Sequence, residues 1–146
     1  MMRDIHVPQG GPPQGPLPSR EIYASMGEAG IFALCADFYA ALEQSSIRPM
    51  FQNEMGEGSK KLAMFLVSAC GGPPLFQNAF GPPRMRARHL PFVIGPLERQ
   101  VWLDCFFKVL EEAPQKYAFP SACMEDFKQY LIGFSAWMVN SAGSAA

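Results

Sequence analysis

Apolar residues of this chain return every three or four positions. Ile31, Leu34, Cys35, Phe38, Tyr39 and Leu42 fall on one face of a helix, since a turn closes every ~3.6 residues. Leu62, Phe65, Leu66 and Ala69 repeat the pattern until Gly71-Gly72-Pro73-Pro74 stops it, because Gly loosens a helix and Pro cannot continue one. A third helix is expected from Pro96, where a proline costs no needed N–H and Glu98 suits the positive helix start; Val101, Trp102, Cys105, Val109 and Leu110 form its stripe. A fourth is expected from near Ser121, with Met124, Phe127, Leu131, Phe134 and Met138 inward and Glu125, Asp126 and Lys128 outward. No stretch alternates with period two, so no strand is expected and the fold class is all-α.

At 146 residues the chain has room for one core. Charged residues are only 17% against 49% apolar, with 12 Phe, 4 Tyr and 2 Trp, which excludes disorder as the main state. The net charge of -1 removes any broad electrostatic case for nucleic acid or a membrane surface as partner. Cys35, Cys70, Cys105 and Cys123 are scattered, without a Cys-x-x-Cys pair, and are expected as free thiols in a cytoplasmic protein. The first residues lack the apolar core of a secretory signal, and no window has the ~18 apolar residues of a membrane span.

Residues 1–19 form a Pro/Gly-rich extension expected to be disordered and dispensable. Residues 20–140 form the folded domain, and residues 141–146 are expected to fray. Between the second and third helices lies Gly71 to Ile94, with seven Gly or Pro up to Pro83 and one short helical piece expected. Irregular connections of this length in compact domains are usually functional or disordered. This one holds His89, the only His of residues 20–140.

Several chemistries find no support. Gly56-Glu57-Gly58-Ser59-Lys60-Lys61 lacks the spacing and the preceding strand of a phosphate loop. Gly133-Phe134-Ser135-Ala136-Trp137 is not a nucleophile elbow and lies within a helix. Arg84-Met85-Arg86-Ala87-Arg88-His89 is the densest basic cluster. Its cations and imidazole on one short helix could grip an iron porphyrin by its propionates and its metal.

The blocks Gly71-Gly72-Pro73-Pro74-Leu75-Phe76, Pro83 to Phe92 (PRMRARHLPF) and Glu98-Arg99 with Trp102-Leu103 and Cys105 resemble group II truncated haemoglobins. Phe38-Tyr39, Phe51 and Met138-Val139-Asn140 extend the resemblance over about Ile22 to Ser141. It implies a two-over-two helical globin sandwich, a first helix reduced to a turn or two and a short proximal helix. It implies haem b (iron protoporphyrin IX) as cofactor, with His89 as the iron ligand and Tyr39 and Trp102 as distal donors. Phe51, Leu62, Phe65 and Phe92 would pack on the haem; Lys61 and Arg88, and more weakly Arg84 and Arg86, would meet its propionates. Gly58 stands where other globins gate the distal pocket with a larger side chain. The partners implied are dioxygen, carbon monoxide or nitric oxide, with a reductase for any redox cycle such as nitric oxide dioxygenation or peroxidase-like turnover. The rival expectation is a non-haem helical interaction module that uses Arg84, Arg86 and Arg88 as its patch.

Overall fold

The computed structural model describes residues 3–51 and 55–142, which are helical throughout their regular parts and contain no strand. Seven α-helices follow in order: α1 Arg20–Glu43, α2 Met55–Ala69, α3 Leu75–Phe80, α4 Met85–His89, α5 Pro96–Leu110, α6 Ala113–Tyr117 and α7 Met124–Met138. Short 3₁₀ turns at Arg48–Met50 and Ser121–Cys123 lead into α2 and α7.

Local chemistry sets the helix ends. Ser19 caps α1 by accepting from the Glu21 N–H at 3.1 Å, which satisfies one of the free donors of a helix start. Gly27, at φ 69° and ψ 177°, breaks α1, a conformation that only glycine adopts without strain. About two turns precede the break, matching the reduced first helix that was expected. At α5, Pro96 occupies the first turn and the Glu98 carboxylate accepts from Gly95 N–H at 2.8 Å. The Gly71-to-Ile94 connection holds two short helices, α3 and α4, rather than one.

α1 packs on α2 and α5 packs on α7, and α1 also meets α5, so two helical pairs close on one core. Phe38 of α1 stacks on Phe106 of α5 with centroids 4.2 Å apart, and Phe106 meets Phe127 of α7 edge-on at 6.0 Å. Ring pairs of this kind contribute about 0.5–1.5 kcal/mol each beyond the area they bury. The stripe expected on α1 is buried except for partly buried Tyr39. On α5 the deeply buried face is Leu103, Phe106 and Leu110, while Val101, Trp102, Cys105 and Val109 are only half-buried. On α2, Ala63, Leu66 and Val67 take the core while Leu62 and Phe65 are half-buried. The four cysteines are free thiols.

Residues 3–19 of the extension form no helix or strand, yet they are tied to the domain. Pro18 is buried, and His6 N–H donates to the Asn140 carbonyl at 3.0 Å. Arg3 forms four hydrogen bonds with the domain. At the other end Ser141 N–H donates to Ile94 O at 3.1 Å, so the chain is still tied there. Residues 143–146 of the expected frayed tail lie outside the described residues, as do Met1 and Met2.

Candidate cofactor site

α1, α2, α3, α4, α5 and α7 all contribute walls to a cavity of about 870 Å³, within the ~300–1,000 Å³ usual for cofactor and small-molecule sites. It explains three of the half-buried stripe positions. Leu62 and Phe65 on α2 and Trp102 on α5 face this space while also packing on the core.

His89 ends α4 and lines the cavity. Its Nδ1 lies 2.6 Å from the Met85 carbonyl one turn back, which fixes Nδ1 as the protonated nitrogen and leaves Nε2 with a free lone pair. Desolvation lowers the His89 pKa below the usual histidine range, against a smaller upward push from the Met85 hydrogen bond. The imidazole is therefore neutral at pH 7, the state a metal requires. Among the described residues no group of three or more His, Cys, Asp or Glu could hold a metal ion. A single neutral imidazole in a large apolar cavity fits a metal whose other ligands come from a macrocycle, and it does not fit a protein-caged ion.

Tyr39 and Trp102 line the same cavity. Phe38 wedges edge-on against both rings, at 5.5 Å and 5.3 Å, and Phe51 meets Tyr39 edge-on at 5.9 Å. Burial, aided by the nearby Cys35, raises the Tyr39 pKa above the phenol range, so the hydroxyl keeps its proton. Among the described residues neither the Tyr39 hydroxyl nor the Trp102 indole N–H has a hydrogen-bond partner.

The other expected residues divide. Phe51, Lys61, Leu62, Phe65, Arg88 and Phe92 line the cavity with His89, Tyr39 and Trp102. Lys61 Nζ sits 5.4 Å over the Phe80 ring. Arg88 stacks 5.0 Å over Phe76, and its Nε and one terminal nitrogen donate to the carbonyls of Pro83, Phe80 and Pro82 at 2.5, 2.9 and 3.0 Å. Arg86 is a correction. It lies outside the cavity lining, stacks 4.4 Å over Trp137, and donates to the carbonyls of Trp137, Val139 and His6. Its guanidinium joins α4 to the end of α7 and the extension. Of the rival expectation's three arginines, Arg84 and Arg88 are exposed and Arg86 is half-buried, and Arg86 and Arg88 donate to carbonyls of their own chain.

Two contributors were missed. Arg99 also lines the cavity and fastens α5 to α7 through Ser135 Oγ at 3.0 Å and Ile132 O at 2.9 Å. It lies three residues before Trp102, a spacing that shares a helix face and was the available signal. Asn140, fully buried, donates to the carbonyls of His89 and Phe92 at 3.2 and 3.0 Å; nothing in the spacing marked it.

Fold and site together define a small helical protein with one neutral histidine on a cavity of cofactor size. The sequence profile of the bacterial-like globins matches residues 21–133, and the chain belongs to that family, whose members carry haem and bind small diatomic ligands such as oxygen. It is 36% identical over 84 residues to the group 2 truncated hemoglobin YjbI of Bacillus subtilis (strain 168), a match spanning 57% of this chain and 64% of that relative, less than two thirds of its length. The phosphate-bound structure of Hell's gate globin IV superposes with TM-score 0.82 at 31% identity, over 90% of this chain and 82% of that one. The group II truncated hemoglobin of Bacillus anthracis gives 0.77 at 27% identity, over 91% and 98%. The group II resemblance read from the sequence and the all-helical sandwich it implies both hold.

Proposed function

We propose that this chain is a haem b globin that binds dioxygen reversibly and takes carbon monoxide and nitric oxide at the same place. The observation that carries this reading is the convergence on one cavity of a neutral His89 with Tyr39 Oη and Trp102 Nε1, two donors without a hydrogen-bond partner among the described residues. A bound haem would supply an iron that His89 could ligate and that could take a diatomic ligand. Met85 orients the imidazole, and the apolar walls from Phe51, Leu62, Phe65 and Phe92 exclude water from the cavity. Lys61 and Arg88 offer charge to the propionates. Tyr39 and Trp102 donate to a ligand that carries partial negative charge, as dioxygen does, and have less to offer carbon monoxide.

Each such donor contributes about 1 kcal/mol net or somewhat more toward a partly charged acceptor, so Trp102→Phe is expected to speed dioxygen release roughly fivefold or more. Tyr39→Phe acts in the same direction. Because both address one ligand, the double variant should depart from the product of the single effects. Stopped-flow release of dioxygen and carbon monoxide decides the matter. Dioxygen release within twofold of the parent in both variants, or equal changes for the two gases, would rule out the distal donors.

A further inference from the structure

One side chain of the N-terminal extension reaches the end of the chain farthest from it in sequence. Arg3 donates from Nη1 to the Asn140 carbonyl at 2.9 Å. Its Nη2 donates to the carbonyls of Leu90 and Phe92 at 2.9 and 2.7 Å and to Asn140 Oδ1 at 2.9 Å. Asn140 reaches the same turn from within. Its Nδ2 donates to His89 O and Phe92 O, its Oδ1 accepts from Ile94 N–H at 3.0 Å, and its own N–H donates to Ile94 O at 2.9 Å. The turn that follows His89 is thus gripped on its carbonyl side by a guanidinium and a carboxamide from opposite ends of the chain. His6 adds a second tie, with its N–H on Asn140 O and its carbonyl accepting from Arg86 of α4 at 2.7 Å.

We infer that Arg3 is a positioning residue for the iron side of the site: with Asn140 it fixes the turn after His89, and so the direction of the His89 imidazole and the retention of haem. The inference rests on the reading of His89 as the iron ligand. α4 has five residues, too few to be stable as an isolated helix, so its last residue is only as fixed as the segments attached to it. The carbonyls of Leu90 and Phe92 need donors, since an unpaired polar group away from water is costly. A planar guanidinium serves several acceptors from one fixed fork, whereas a lysine ammonium would reach them as a single point. The extension expected to be dispensable therefore becomes part of the cofactor site.

The test uses the full-length protein loaded with haem, as parent, Arg3→Ala and Arg3→Lys. Arg3 lies outside every helix, so neither variant alters a helical residue. Two quantities are read: hydrogen exchange at the Ile94 and Asn140 amides, and the rate of haem transfer to an excess of an apo-globin acceptor. Loss of a multidentate charged donor is expected to speed both roughly fivefold to tenfold in Arg3→Ala, with Arg3→Lys closer to Ala than to the parent and exchange in α1 and α5 unchanged. Unchanged exchange at Ile94 overturns the inference, and so does faster exchange with haem transfer within twofold of the parent. His89→Ala run alongside separates the two readings. If it sheds haem while Arg3→Ala does not, the positioning role fails and the ligand assignment stands. If His89→Ala keeps haem normally, the ligand assignment fails, and the positioning role falls with it.

Discussion

Gly58 decides how closely Tyr39 lies against α2. A Cβ at this position would stand 2.8 Å from Tyr39 Cε2 and 3.1 Å from its hydroxyl oxygen, closer than a side-chain carbon tolerates. In an ordinary helix Gly→Ala gains up to about 1 kcal/mol, so stability and function are expected to part here. Gly58→Ala should leave the melting temperature level or higher while displacing Tyr39 and speeding dioxygen release severalfold; a release rate within twofold of the parent would show that the ring needs no such space. The sequence marked Gly58 as a small residue at a gate, but its contact with Tyr39 joins two helices and leaves no trace in spacing. His89 carries a pH signature. Its folded-state pKa lies below the ordinary 6.5, so below pH 6.5 the unfolded chain binds a proton that the folded chain refuses, and stability falls as pH falls. In the cofactor-free protein the melting temperature should drop more steeply below pH 6.5 for the parent than for His89→Leu, and parallel profiles would contradict a desolvated neutral imidazole.

At the scale of elements, helix existence was legible and helix orientation was not. α2, α5 and α7 announce themselves through Gly71-Gly72-Pro73-Pro74, Pro96 and Ser121, whose backbone chemistry acts locally. The buried face of α5 was misread because that helix is apolar on two sides, one against Phe38 and Phe127 in the core and one against the cavity through Trp102. Periodicity cannot choose between two apolar faces. One short helical piece was expected between α2 and α5 where two stand, since six residues in α3 and five in α4 are held by tertiary contacts rather than by propensity. The Gly71-Gly72 stop has a second role that only packing reveals. A Cβ on Gly72 would meet the Tyr23 ring and Val67 Cγ1, each at 2.7 Å, where the end of α2 crosses the start of α1. Overpacking of this kind costs about 1–3 kcal/mol, so Gly72→Ala should lower the melting temperature by several degrees; an unchanged midpoint in a thermal scan would show that the crossing has slack.

Across the whole molecule, Arg3 and Asn140, 137 residues apart, meet at the turn after His89. Residues 1–18 looked expendable because proline and glycine argue against a packed core, and composition is blind to a single arginine that finds backbone carbonyls 87 and 137 residues away. Removing residues 1–18 should therefore accelerate haem loss and lower the melting temperature, and a shortened chain with parental values for both would return the extension to a spacer. No helix among the described residues is long and apolar enough to cross a membrane. The central claim is that His89 fastens haem in the cavity shared with Tyr39 and Trp102, and haemin titration followed at the Soret band tests it on the parent and on His89→Gly with and without added imidazole. The expected result is one haem per parent chain, weak and rapidly lost haem in His89→Gly, and recovery of the ferrous spectrum when imidazole fills the space left by the side chain. Parental affinity and an unchanged ferrous spectrum in His89→Gly without imidazole would contradict it.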